Sequence, residues 1–132
     1  MENRSCIAVG SFLCALWLGV SAAKAQEPQT LARQFMRCSS VLVKVAEATP
    51  DKAQADRVTA ASAMFTLVGA TKAAGEAFVK AEMAKSVEAF VRELGNLRQR
   101  DPSPQALARF LHEQNAACRK LFSEHRAQYF AP

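Results

Sequence analysis

Apolar side chains recur every three or four residues along most of the chain after residue 25, which is the spacing of one face of an α-helix. Alternating runs of β-branched residues, which would indicate strands, do not occur in the sequence. The pattern predicts four helices, at about residues 30–48, 50–68, 72–94 and 104–128. Because the predicted connections are short, we expect an all-α, up-down-up-down four-helix bundle, formed by residues 26–132 as a single domain.

The predicted boundaries coincide with residues that favour helix ends. Thr49 is expected to cap the second helix, with Asp51 at the positive end of its dipole. Gly69 is expected to end that helix and Thr71 to cap the third. The alternative, that the second and third helices are partly continuous across residues 69–76, stays open at this point.

Each predicted helix has one apolar face, and these faces form the expected core. The first helix should place its basic residues, including Arg33 and Arg37, opposite that face, and the third should end at Gly95-Asn96. The predicted core positions are Leu31, Phe35, Cys38, Leu42, Val45, Val58, Ala61, Phe65, Val68, Val79, Met83, Val87, Phe90, Leu94, Leu107, Phe110, Leu111, Gln114, Cys118, Leu121, Phe122 and His125.

The first 25 residues have the three parts of a secretory signal peptide. A weakly basic start with Arg4 is followed by an uncharged apolar run from Cys6 to Val20, and then by small residues at Ala23 and Ala25. This pattern predicts cleavage before residue 26 and a periplasmic or secreted mature protein. An uncleaved membrane anchor is the alternative, although the apolar run is short for a span. After residue 25 no stretch is apolar enough to cross a bilayer, so we expect no stable membrane insertion after cleavage.

Two of the four cysteines, Cys38 and Cys118, lie in the predicted mature chain. An even pair in an exported domain predicts a disulfide. In an up-down-up-down bundle the start of the first helix lies beside the end of the last. Both cysteines then face the core at a similar height, at 1.5 Å rise per residue.

The sequence has no motif typical of a catalytic, metal-binding or nucleotide-binding site. It lacks Gly-x-Ser-x-Gly, His-Glu-x-x-His, a P-loop and Gly-x-Gly-x-x-Gly, and its acidic residues pair with bases at helical spacing. The net charge of +5 is spread along the chain without the dense basic stripe that nucleic-acid binding requires. We therefore expect a protein that is not an enzyme, holds no metal and binds no nucleic acid.

His125 lies on the apolar face of the last helix, in its last turns, and Met36 lies near the start of the first. A methionine from the first helix and a histidine from the last resemble the axial ligands of the non-covalent haem four-helix cytochromes. The resemblance implies a haem ligated by Met36 and His125. The related cytochrome c-prime bundles carry Cys-x-x-Cys-His in the last helix, whereas residues 115–119 here read Asn-Ala-Ala-Cys-Arg, which excludes covalent haem attachment.

These observations together predict an exported, non-enzymatic interaction or binding protein of the bacterial periplasm. An adaptor or a small chaperone with an unknown protein or envelope partner is the first hypothesis, because the small periplasmic acid-stress chaperones are similarly helical with one disulfide. The alternative is a carrier of a small molecule or of non-covalent haem in the bundle interior. A homodimer is compatible with either hypothesis.

Overall fold

A computed structural model of the protein describes residues 27–132, most of which are helical. Because the helical elements between Lys52 and Ala74 follow one another without a break, the described residues form four helices, and they include no strand. The predicted leader, residues 1–25, lies outside the described residues. The elements are α1 (Glu27–Glu47), α2 (Lys52–Ala63), a first π-helical segment (Met64–Ala70), α3 (Thr71–Ala74), α4 (Glu76–Arg100), α5 (Pro104–His125) and a second π-helical segment (Arg126–Phe130).

The helices alternate in direction along the chain. Phe35 of α1 packs against His125, and Cys38, further along α1, is bonded to Cys118, which lies earlier in α5. α5 is therefore antiparallel to α1, and the short connection at residues 48–51 likewise returns α2 along α1.

α4 runs in the same direction as α1. Arg33 lies 3.5 Å from Glu82, and Arg37 pairs with Glu93, so later residues of one helix meet later residues of the other. The predicted all-α, up-down-up-down four-helix bundle is thereby confirmed.

The predicted disulfide is also confirmed. The Cα atoms of Cys38 and Cys118 are 5.6 Å apart, and both side chains are buried in the core between α1 and α5. The bond closes a loop with a sequence separation of 80 residues. On the chain-entropy model, closing such a loop stabilises the folded state by about 4.5 kcal/mol.

α1 is the central helix, because it packs against α2, α4 and α5 and against the π-helical segment between α2 and α3. At 100° per residue its buried side chains cover about 220° of its circumference, which is wider than the single predicted stripe. The buried positions are Leu31, Ala32, Phe35, Met36, Cys38, Val41 and Leu42.

Arg37 lies at the edge of this wide interface, with its side chain 37% exposed, and not on a wholly polar outer face as predicted. Its guanidinium donates hydrogen bonds to Glu93 and to the side-chain oxygen of Gln114, each at 2.9 Å from Nη2. It also lies 5.5 Å above the Phe90 ring. The prediction was wrong at this position because side chains of α4 and α5 reach Arg37 and bind its guanidinium.

The predicted boundary at Gly69 is wrong. The helix continues through Gly69 to Ala74, and the break comes at Gly75, whose φ of 90° and ψ of 156° lie outside the helical region. A positive φ is accessible to glycine without steric cost, so Gly75 is the residue that allows the chain to change direction before α4. The second helix thus extends to Ala74, and it is separated from the third at Gly75, within residues 69–76.

Gly69 has a packing role. A Cβ atom built at this position would lie 2.6 Å from Cζ of Phe130 and 3.1 Å from Cδ2 of Phe35. The missing side chain at Gly69 therefore makes room for the Phe130 ring of the second π-helical segment.

Thr71 does not cap the third helix as predicted. Its hydroxyl donates a hydrogen bond to the carbonyl of Thr66, in the preceding π-helical segment, at 3.2 Å.

Three predicted core residues are partly exposed: Val68 by 40%, Met83 by 37% and Val87 by 48%. The wider turns of the π-helical segment shift the buried face, so that Thr66 and Gly69 are buried in place of Val68. Met83 and Val87 are exposed because α4 packs on α1 but touches α5 only slightly.

Two helix ends also differ from the predictions. Asp51 caps α2 by accepting a hydrogen bond from the Gln54 amide at 2.7 Å, whereas the Thr49 hydroxyl donates back to α1. α4 continues past the predicted stop at Gly95-Asn96 and ends at Arg100, two residues before Pro102. Helix formers on both sides of Gly95 outweigh the cost of one glycine.

At the turn between α4 and α5, the Asp101 carboxylate accepts a hydrogen bond from the Ser103 amide at 3.1 Å. The Ser103 side chain and this amide together hold the pKa of Asp101 below its usual value. Ser103 in turn caps α5 by accepting from the Ala106 amide at 3.2 Å.

Removing the disulfide should lower stability without changing the fold. We expect a Cys38→Ala/Cys118→Ala variant to lose up to about 4.5 kcal/mol of unfolding free energy, because the unfolded chain regains its loop entropy. Urea denaturation followed by circular dichroism measures the loss. Reduced wild-type protein should show a comparable loss, whereas an unchanged midpoint on reduction would contradict the prediction.

Adding a methyl group at Gly69 should disturb the packing of Phe130. We expect Gly69→Ala to destabilise by about 1–3 kcal/mol, because the new Cβ overlaps the ring. Gly95→Ala is the matched control, since Gly95 is helical and a Cβ there meets nothing within 4 Å. The control should be stabilised by about 0.5–1 kcal/mol in the same urea titration. Equal behaviour of the two variants would show that the Phe130 contact is unimportant.

Candidate ligand-binding cleft

Met36 and His125, the haem ligands that the resemblance implies, pack against different neighbours. Met36 is 3% exposed and lines a small cavity of about 250 Å³ between α1 and α4. The His125 ring lies edge-on to Phe35, with centroids 5.9 Å apart, and 5.8 Å from Tyr129. Haem ligation by this pair stays a prediction.

His125 belongs to an aromatic cluster that joins the two π-helical segments to α1. The Phe35 ring is at the centre of this cluster, and the Phe130 ring lies 5.1 Å from it in an edge-on arrangement. Such arrangements are favoured by the quadrupoles of the rings. The other members are Phe65, Phe122 and Tyr129.

A cleft of about 570 Å³ lies between α2 and α5. Both helices pack on α1 but make little contact with each other, so a gap is left between them. Leu42 of α1 forms the floor of the gap. The volume is within the range of about 300–1,000 Å³ that small-molecule sites in proteins have.

The wall formed by α2 and the π-helical segment after it includes small and apolar side chains. α2 and the π-helical segment after it contribute Val58, Ala61 and Met64. At one end, Phe65 and Phe122 approach to 6.1 Å between ring centroids and close the cleft. The short side chain of Ala61 leaves space in the middle of the wall.

Polar side chains stand at the other end and along the rim. Gln54 and Arg57 come from α2, and Asn115, Arg119 and Ser123 come from α5. The described lining residues include no carboxylate, so the cleft carries two positive charges and no negative one.

The two arginines of the cleft differ from most basic residues of the described helices. Neither Arg57 nor Arg119 has a carboxylate within 4.0 Å among the described residues, and both side chains are exposed. Nine other basic residues on these helices form ion pairs: Arg33, Arg37, Lys44, Lys52, Lys80, Lys85, Arg92, Arg109 and Lys120.

Cys118 belongs to both the disulfide and the lining of the cleft. The bond ties the α5 wall of the cleft to α1. The side-chain hydroxyls of Ser39 and Ser62, 2.9 Å apart, join α1 to α2 in a similar way. The two walls are therefore each fixed to the floor.

The sequence reasoning did not find the polar residues of the cleft. A usable signal was present, because neither Arg57 nor Arg119 has an acidic residue three or four positions away. An arginine on a helix without such a neighbour lacks the usual local partner. The spacing alone does not show which helix faces Arg57 or Arg119 in the fold.

The described residues provide neither a metal centre nor a membrane span. Within residues 27–132 no three His, Cys, Asp or Glu side chains converge as metal ligands. No helix in that range is long and apolar enough to cross a bilayer. What the cleft offers chemically is an apolar surface with hydrogen-bond donors and positive charge at its rim.

No protein-family model, no curated protein and no solved structure matches the chain. The geometry of the cleft is therefore the basis on which a function is proposed.

Proposed function

We propose that the chain is an exported, non-enzymatic binding protein of the bacterial periplasm, and that its ligand occupies the cleft between α2 and α5. The cleft is the observation that carries the proposal: about 570 Å³ of space with an apolar floor and a polar rim. Binding pockets for small molecules are typically mostly apolar with a few polar groups that orient the ligand. This favours the carrier hypothesis over the adaptor hypothesis.

The disulfide supports the proposed location. Disulfides persist in oxidising compartments such as the periplasm and are rare in the cytosol. The pattern of residues 1–25 predicts the route by which the chain would reach that compartment.

A second candidate is a protein partner that binds the outer side of α4. Met83, Val87 and Val91 are 37%, 48% and 57% exposed, and their i, i+4, i+8 spacing places them in one stripe. An exposed apolar stripe on a helix is a feature of adaptor, chaperone and dimer surfaces. The stripe supports the adaptor or small-chaperone hypothesis and is compatible with a homodimer.

Native mass spectrometry of full-length protein expressed in a Gram-negative host and purified from its periplasm tests the proposal. We expect a chain that begins at residue 26, has lost about 2 Da through disulfide formation, and carries a defined additional mass. Bare oxidised monomers, or complexes with another protein, would favour the α4 surface instead. An uncleaved or reduced chain would contradict the proposed compartment.

Filling the cleft should abolish binding of an apolar probe. We expect Ala61→Trp to weaken binding of the neutral fluorophore N-phenyl-1-naphthylamine at least about tenfold, because the indole would occupy the space between the walls. Ala63→Trp is the matched control, since Ala63 is exposed on the same helix and does not line the cleft. Circular dichroism confirms that both variants are folded. Equal affinity of the two variants would place the probe elsewhere.

A further inference from the structure

The lining of the cleft changes from polar to apolar along its length. Phe65 and Phe122 close the apolar end. Arg57 precedes Phe65 by eight residues and Asn115 precedes Phe122 by seven, so at 1.5 Å per residue both lie about 11 Å from that end. Because α2 and α5 run parallel to each other, these two polar side chains stand at the same end of the cleft.

Arg119 lies between the two ends, one turn before Ser123, on the rim formed by α5. Arg57 and Arg119 therefore approach the cleft from opposite walls. The acidic residue next to Arg57 in the sequence, Asp56, is engaged elsewhere, because its carboxylate accepts a hydrogen bond from Lys52 at 2.7 Å. Both guanidinium groups are thus available to a ligand.

The guanidinium groups of Arg57, at the polar end, and of Arg119, midway along the α5 rim, specify the kind of head group that the cleft can bind. An arginine presents a planar fork of N–H donors that matches the two oxygens of a carboxylate or a phosphate. Val58 of the adjacent wall and Leu42 of the floor are apolar, and charge attraction is stronger beside such a surface than in bulk water. Asn115 and Gln54 add neutral donors next to the charged ones.

The end of the cleft closed by Phe65 and Phe122 favours a hydrocarbon group of the ligand. Met64, Phe65 and Phe122 offer no charged group, and the unbranched thioether of Met64 adapts readily to the shape of a flexible chain. A ligand that satisfies both ends has a charged head and an apolar chain.

We propose that the cleft binds a single-chain amphiphile with an oxyanion head group, a carboxylate or a phosphate. Arg57 and Arg119 hold the head, and the chain lies towards Phe65 and Phe122. The inference rests on the proposed function, because it specifies the ligand of the same cleft.

Four probes with the same ten-carbon chain test the inference: decanoate, monodecyl phosphate, 1-decanol and decyltrimethylammonium. Each is titrated below its micelle concentration against mature oxidised protein, in competition with N-phenyl-1-naphthylamine. We expect the better of the two anions to bind at least about tenfold more tightly than the alcohol, and the cation to bind more weakly than the alcohol. The ranking of decanoate against monodecyl phosphate identifies the head group.

Charge-removing variants test the assigned residues. Arg57→Gln and Arg119→Gln should each reduce anion affinity about tenfold while leaving 1-decanol affinity unchanged, because only the head-group contact is lost. Arg98→Gln is the matched control: Arg98 is exposed on α4, lies outside the cleft and carries the same charge. It should leave the affinity for every probe unchanged.

The outcomes separate the two proposals. One outcome is that 1-decanol binds, that Ala61→Trp blocks its binding, and that the anions bind no more tightly than the alcohol. The cleft is then a binding site, but the oxyanion inference is overturned. If Arg98→Gln lowers anion affinity as much as Arg57→Gln does, the effect is general charge attraction and the inference is likewise overturned. If none of the probes binds, the proposed function fails and the inference falls with it.

Discussion

The packing of three helices against α1 is the constraint on which the rest of the structure depends. A helix in a regular four-helix bundle needs one apolar stripe, but α1 is buried over more than half of its circumference. Small and flexible side chains such as Ala32 and Met36 therefore face neighbours on its flanks. Where a charged residue lies at the edge of this interface, as Arg37 does, hydrogen bonds to Glu93 and Gln114 replace part of its contacts with water.

This arrangement also explains why a cleft exists. α2 and α5 are each attached to α1, by the serine pair and by the disulfide, and they have little contact with each other. Their separation is set by the width of the helix beneath them and by small residues such as Ala61 on the facing wall. The closure at one end comes from Phe65 and Phe122, so the aromatic cluster that stabilises the core also shapes the site.

The number of helices, their order and the cysteine pair could be predicted, because each depends on periodicity within one helix and on a simple topology. Gly69 could not be interpreted correctly, since a glycine that ends a helix and a glycine that admits a neighbouring ring look alike in one sequence. The exposure of Val68 follows from π-helical turns, which the pattern of residues does not predict. Arg57 and Arg119 belong to different helices, and their shared site is a property of tertiary packing alone.

The contact between Gly69 and Phe130 has a consequence for the order in which the parts of the protein fold. The central ring of the aromatic cluster, Phe35, lies near the start of α1, and its partner Phe130 lies beyond the end of α5. The cluster cannot close until residues from both regions are present together, and such distant pairings form late. The first and last parts of the described chain are therefore joined late, and Phe130 fills the space beside Gly69 only when the helices between them have brought the two regions together.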